Sequence, residues 1–335
     1  MAFPSKDGPN SYVWKLKDVY NARQGDNWPV VGAIGLVSGG YLAPARLNTI
    51  QKITLGSTGN ASDFGDLSTV ISTMQSGQAA STTRGITNAG GESTAPASAL
   101  NSISFCTFAT TGNASDFGDL TRSTNGTGAL SSATRAVFAG GSTPSSPYAS
   151  NIMDYITIAS TGNAIDFGDT LNERTNRAGV SSSTRGVYGG AFTSPSNIFN
   201  DIEYITIAST GNSIDFGDTL AAVRNFASGG SSTRGLYAGG QLSSPFARQN
   251  VIQYITIASA GNAIDFGDLT VARSDCVGLS DTTKTLFCGG SHPTPGANLI
   301  DFVFTASTGN ATDFGDLTTA TQGPMGCSNL HGALQ

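Results

Sequence analysis

Hydrophobic and polar positions alternate in short runs along most of this chain. Residues Ile202-Glu203-Tyr204-Ile205-Thr206-Ile207 mix β-branched and aromatic side chains with polar ones at the spacing of a strand. Upstream, Arg185-Gly186-Val187-Tyr188-Gly189-Gly190 predicts a strand that ends in a glycine pair. A polar-alternating stretch over 177–181 precedes it across a tight turn at 182–184. Downstream, Thr210-Gly211-Asn212 turns the chain and Ile214-Asp215-Phe216 begins a fourth strand. No helical period of comparable strength accompanies these runs.

The four-strand pattern repeats. The string DFGD occurs with its first Asp at Asp63, Asp116, Asp166, Asp215, Asp265 and Asp313. A glycine pair recurs in phase, starting at Gly39, Gly90, Gly140, Gly189, Gly239 and Gly289. TGN precedes each DFGD, beginning at Thr58, Thr111, Thr161, Thr210 and Thr308, with Ala260 in the remaining copy. A period near 50 residues marks a repeat architecture. One four-stranded unit cannot bury both faces alone, whereas six in a ring give every unit two neighbours. The first period lacks a good first strand, and the last has a surplus one at about 320–328. The C-terminal strand is therefore predicted to complete the N-terminal unit and remove an exposed edge. The expected fold is all-β, a six-bladed β-propeller over 33–335 with a short N-terminal helical arm over 1–32.

Within that arm, residues 11–22 place Val13, Leu16, Val19 and Tyr20 at helical spacing among Lys15, Lys17 and Asp18, and Gly25 and Pro29 punctuate its end. Trp14 and Trp28 are the chain's only two tryptophans. The arm packs on the rim of the same chain, or it docks to a larger assembly through Val13, Trp14, Leu16, Tyr20 and Trp28, Trp being a favoured interface anchor.

The order of glycine pair, strand, aromatic and Arg resembles the kelch motif. The match runs Leu286-Phe287-Cys288-Gly289-Gly290, then 300–304, then Phe314, with the Arg best seen as Arg273 after Phe266. Kelch repeats usually carry Trp where this chain has Phe64, Phe117, Phe167, Phe216, Phe266 and Phe314; Phe fills the same slot with less area. A second resemblance rests on Trp14-Lys15-Leu16-Lys17-Asp18-Val19, on Gly25-Asp26-Asn27-Trp28-Pro29, and on repeats such as Ile205-Thr206-Ile207-Ala208-Ser209-Thr210-Gly211-Asn212 before Ile214-Asp215-Phe216-Gly217-Asp218. These look like structural proteins of marine bacteriophages. The resemblance implies a non-enzymatic virion component, assembled in the host cytoplasm. It would be held to other virion proteins through residues 1–32 and would project a propeller as tail, fibre, neck or capsid decoration or adhesion module. The alternative is a lectin-like receptor-recognition protein that takes a host-surface glycan or protein.

Composition narrows the chemistry. Lys+Arg number 17 and Asp+Glu 23, a formal net charge of −6, and charged residues make up 12%, against a usual share of about 25%. That balance argues against a nucleic-acid partner. No apolar run of about 18 residues exists, so no membrane span is expected. Residues 1–10 contain no apolar core of a secretory leader. No C-x-x-C, G-x-S-x-G or H-E-x-x-H string occurs, so no zinc site or hydrolase is expected. Some propellers of this shape resemble galactose oxidase, but its copper chemistry needs two His ligands, and His292 and His331 are poorly placed for it. No cofactor, metal or catalytic residue is predicted. Cys276 and Cys288 flank a turn near Thr282 and either form a disulfide or stay as buried thiols, the second being favoured in a cytosol-assembled protein.

Three groups remain as candidates. The DFGD carboxylates read as turn stabilisers or as cation ligands, and six copies favour the structural role. Arg84, Arg135, Arg185 and Arg234, with Lys284 in the fifth place, read as bridges to DFGD carboxylates or loop carbonyls, or as a positive ring for an acidic glycan. The repeats differ most over 92–99, 142–150, 191–199, 241–250 and 291–298, which carry Tyr148, Phe192, Phe199 and Phe246. These loops are predicted to share one face, with the TGN turns on the other. Either the variable face contacts something outside the chain, or its sequence drifts in solvent.

Overall fold

Strand after strand in the computed structural model runs antiparallel to the one before it, as the alternating pattern requires. It describes residues 32–72, 76–93, 99–145, 148–193, 197–243 and 246–335. The predicted helix over 11–22 and the candidates Val13, Trp14, Leu16, Tyr20 and Trp28 lie outside the described residues. Among the described residues the fold is all-β, with one short 3-10 turn, Gly332–Leu334, and no helix long and apolar enough to cross a membrane.

The repeat beginning at Ala178 is representative. Its strands are Ala178–Ser181, Arg185–Thr193, Asn197–Thr206 and Ile214–Asp218, paired antiparallel in that order. We call this four-stranded unit the fourth sheet; Ser76–Gly77 links it to the third by parallel pairing, and Ile71 and Ser72 link the first to the second. The third holds Gly128–Ser131, Arg135–Ala139, Ser150–Thr157 and Ile165–Arg174. The fifth holds Ala227–Gly230, Arg234–Ala238, Val251–Thr256 and Ile264–Asp268, and the sixth Val277–Ser280, Lys284–Cys288, Ala297–Phe304 and Thr312–Thr321. In the second sheet, Arg84–Ser93, Ala99–Thr107 and Ser115–Thr124 follow one another, and a bridge from Ala80 to Gly85 takes the first-strand position. The first sheet joins both ends of the chain: Met325–Ser328 pairs with Ile34–Ser38, which leads to Ala45–Thr54 and Ser62–Ser72.

DFGD acquires a physical reason here. The register between third and fourth strands slips at this string in all six sheets, for example from Ile202↔Gly217 to Glu203↔Asp215. The extra residue is the Phe, and such a bulge re-aims a side chain. Phe64, Phe117, Phe167, Phe216, Phe266 and Phe314 are accordingly all buried. The DFGD glycine then meets the TGN backbone of the following sheet. A Cβ on Gly118 would lie 2.4 Å from the Gly162 carbonyl oxygen, so only glycine permits the approach.

Neighbouring sheets bury one apolar layer between them. Ile86, Ile103 and Phe117 of the second sheet pack with Phe138 and Ile156 of the third. Separate clusters join the third to the fourth, the fourth to the fifth and the fifth to the sixth. Two more join the sixth to the first and the first to the second, so that Leu286 and Phe314 share a core with Val37 and Ile53. Apolar burial at roughly 25 cal/mol per Å² is the dominant favourable term at each junction.

Candidate functional site

In each sheet the connection between the second and third strands lies at the end opposite the connection between the third and fourth. The molecule therefore has a constant end, carrying the TGN turns, and a variable end. They are built differently.

At the constant end the TGN Asn accepts a backbone N–H from the second Asp of the preceding DFGD. Asn113 Oδ1 takes Asp66 N–H at 3.0 Å, and Asn163, Asn212, Asn262 and Asn310 repeat the bond, each with the sheet before it. Asn60 takes it from Asp316 at 3.0 Å, joining the last repeat to the first. The turn chemistry read from DFGD thus resides in the Asn amide. Asp63, Asp116, Asp166, Asp215, Asp265 and Asp313 stand exposed at the head of the fourth strands. No group of three or more His, Cys, Asp or Glu with metal-binding geometry occurs among the described residues.

The recurring Arg bonds carbonyls. Arg185 Nη1 donates to the Ile257 and Ala258 carbonyls at 3.0 and 2.8 Å while its guanidinium covers the Tyr204 ring. Tyr204 in turn meets Phe216 edge-on at 6.1 Å. Arg84, Arg135 and Arg234 repeat the arrangement over Phe105, Tyr155 and Tyr254, and Lys284 reaches Leu55 and Gly56. Each cation therefore ties its sheet to the next and is committed to that task.

The first strands converge on Gln78. Its Nε2 donates to Ser280 Oγ, its Oε1 accepts from Ser328, and its carbonyl accepts from Ser131. Gly77 lies so close to the Ala129 and Gly179 carbonyls that a Cβ would collide with both. Beside it the C-terminal tail folds inward. His331 is buried, with Nε2 at 3.2 Å from the Ala80 carbonyl and 3.1 Å from Ser131 Oγ. A carbonyl only accepts, so Nε2 carries the hydrogen. Burial pushes the imidazole pKa down to about 4. Gln335 closes the tail onto the Asp281 carbonyl. Where the first strands meet, Gln78, Ser181, Ser280 and His331 line a small cavity of about 10 Å³.

The variable end holds the ionic chemistry. Arg177 and Glu203 pair at 2.9 Å with both side chains fully buried. Arg273–Asp301 and Arg122–Asp154 are also largely buried, but each Arg arises from a different point of its repeat. Burial raises the Asp154 carboxyl above its ordinary pKa, with Arg122 opposing. The four candidate aromatics all lie here. Tyr148 and Phe246 are each 54% exposed, and both have left-handed backbone, at φ 60 and 62. Phe199 lies half-buried under Arg174, whose centre is 3.2 Å from the ring and which also pairs with Asp201. Phe192 lies half-buried against Arg224, 5.1 Å away, and Phe246 sits on the same guanidinium at 6.0 Å. Arg224 and Gln241 carried no signal in the sequence, because each departs from the repeat at its own position, whereas Arg174 takes the place that Arg273 has in its own repeat. All four cysteines are free and buried, and burial raises the thiols of Cys106, Cys276, Cys288 and Cys327.

No protein-family model and no curated protein matches the sequence.

Proposed function

We propose that the six sheets are the blades of a closed six-bladed propeller and that this propeller is a non-enzymatic adhesion or decoration module of a phage virion, held to other virion proteins by residues 1–32. Six apolar layers and six Asn bonds in cyclic order support the closed wheel, as does the pairing of the C-terminal strand with the N-terminal blade. Particle images that resolve any other number of lobes would overturn it.

One observation carries the functional reading. Propeller ligand and catalytic sites commonly use the central opening, and here Gln78, Ser280 and His331 narrow it to a cavity of about 10 Å³. The surface left for recognition is the variable end, where exposed rings stand on loops braced by a rigid scaffold. A virion role is the expectation from the marine-phage resemblance of the arm and repeats. Removing residues 1–30 tests it: the propeller stays folded and soluble and fails to join particles. Normal incorporation of the truncated chain refutes the docking role.

The lectin-like alternative is favoured by one specific feature, the open faces of Tyr148 and Phe246. Binding of the full chain to host cells, before and after loops are exchanged between blades, separates adhesion from decoration. Unchanged binding after exchange removes the variable end from the mechanism.

A further inference from the structure

Phe246 is a conformational outlier at an exposed position. An aromatic residue is rare in left-handed backbone, where glycine or asparagine closes a loop without strain. Phe246 adopts φ 62 with half its surface open to solvent, so burial does not account for its presence. Strain of this kind persists where surrounding structure holds it, and here the holder is visible. Gln241 Nε2 donates to the Phe246 carbonyl at 2.9 Å. The same amide turns its Oε1 to Arg224, accepting from Nη2 at 2.9 Å and from Nε at 3.3 Å. One side chain thus fixes both the ring and the guanidinium. Phe192 supports Arg224 from the neighbouring blade.

Arg224 also differs from the ion-paired arginines. Arg46, Arg122, Arg174, Arg177 and Arg273 each pair with a carboxylate within 3.2 Å. Among the described residues Arg224 forms no ion pair, and its Nη2 and Nε donate to the Gln241 amide. Arg248, which flanks Gln241 through a backbone bridge, spends Nη2 on the Ser291 hydroxyl and likewise has no carboxylate partner there. The nearest acid is Asp275. Burial raises its pKa; it accepts from Ser274 and Asn225, and Arg224 and Arg248 oppose the rise from a distance.

We propose that Phe246, Arg224 and Gln241 form a binding site for an acidic sugar, a pyranose bearing a carboxylate or sulfate. This rests on the adhesion reading and names its ligand class. The open ring offers a flat apolar platform for the C–H face of the sugar, and the free edge of the guanidinium takes the anion through paired N–H donors. A protein partner fits less well: interface cores exclude charge and gather contiguous apolar surface, whereas this ring stands beside an amide, a guanidinium and the exposed Ser243. A nucleic acid is opposed by the chain's net charge of −6.

The test uses the full chain with polygalacturonate, dextran sulfate and uncharged dextran as probes, in binding titrations at physiological salt. The expected result is saturable binding to an acidic polymer and none to dextran, weakened about tenfold or more by Phe246→Ala and by Arg224→Gln. Arg224→Lys recovers only part of the loss, because it keeps charge without the fork. Ile165→Ala, an exposed apolar residue at the constant end, leaves affinity unchanged, and unaltered melting temperatures show that the variants are folded. Binding that ignores Phe246→Ala is plain charge attraction and overturns the site, as does absence of saturable binding to both acidic polymers. Either failure leaves the arm-truncation result untouched, so the virion reading stands or falls separately.

Discussion

The two ends of this molecule meet the same requirement, holding one blade to the next, by opposite means. At the constant end the joints are nearly identical: an Asn amide on a backbone N–H, a glycine against a glycine, and a cation on carbonyls. At the variable end the equivalent space holds ion pairs, and no two blades place them alike. In the third strands one position is Gln51, Asp154, Glu203, Gln253 or Asp301, and each accepts from the fourth strand of the preceding blade. The amides do this without a counter-ion; the carboxylates bring an Arg each. Repetition therefore builds the joints between repeats, and individual substitution on top of it makes one repeat different from another.

The largest effect that tests this division is at the variable end. Glu203→Ala strands the fully buried Arg177 and removes the acceptor used by the Leu171 N–H and the Ser213 hydroxyl. A loss of about 3–5 kcal/mol is expected from urea unfolding. Replacing both partners together, Arg177→Met with Glu203→Leu, recovers most of it, since the penalty lies in the unpaired charge. Asn163→Ala, on an exposed joint at the other end, costs about 1 kcal/mol. Equal losses would erase the distinction.

Within the constant end, two glycines 44 residues apart make a sharper pair. Gly118 presses on the Gly162 carbonyl, while a Cβ on Gly162 meets nothing within 4 Å. Gly118→Ala must open the joint and is expected to cost about 3 kcal/mol, the upper range for overpacking. Gly162→Ala carries only backbone strain, about 1 kcal/mol. If the two melt alike, the close approach is not what DFGD is for.

This contrast also explains what could be read from the chain. The four strands of each blade, the surplus C-terminal strand and the buried Phe of DFGD were legible because they recur, and a pattern repeated in phase is audible above local noise. The destination of the recurring Arg was legible only as a choice between carboxylate and carbonyl, because both partners recur equally often. Gln78, His331, Arg224 and Gln241 were not legible at all. Each occurs once, and its role depends on residues far away in sequence, such as Ser280 for Gln78 and Ser131 for His331. The TGN asparagine's partner was not legible either, since its donor lies in the DFGD of the preceding repeat.

The filled centre predicts a pH dependence. His331 in the folded chain holds its proton only below about 4, against an ordinary 6.5. Between those values the unfolded chain binds a proton that the folded chain refuses, so stability falls as pH drops, by up to about 3 kcal/mol. Above 6.5 the group contributes nothing. Asp154, Asp201 and Asp275, raised by burial, act with the opposite sign over their own range. The measurement is therefore the difference between the native chain and His331→Asn in urea unfolding at pH 7 and pH 4.5. A constant difference would mean that the tail is open to water.

The smallest expected effect bears most directly on what the variable end is for. Tyr148 and Phe246 occupy equivalent loops in alternate blades and share a left-handed backbone. If these loops merely drift, an aromatic residue in that conformation is an expense with no return, and glycine would serve better. Tyr148→Gly relieves about 1–2 kcal/mol of strain and gives back about 0.5–1 in unfolded-chain entropy. The ring is more than half exposed, so little burial is lost. The expected net change is a gain of about 0.5 kcal/mol, visible as a small rise in melting temperature. Phe192→Gly, half-buried and without a left-handed backbone, goes the other way by 2 kcal/mol or more, roughly the low end for a truncated core aromatic. A stability gain from deleting Tyr148 means the ring is kept at the fold's expense, which points to contact with another molecule. A clear loss instead would place Tyr148 among the residues that hold its own loop, and leave Phe246 alone as the strained aromatic of this face.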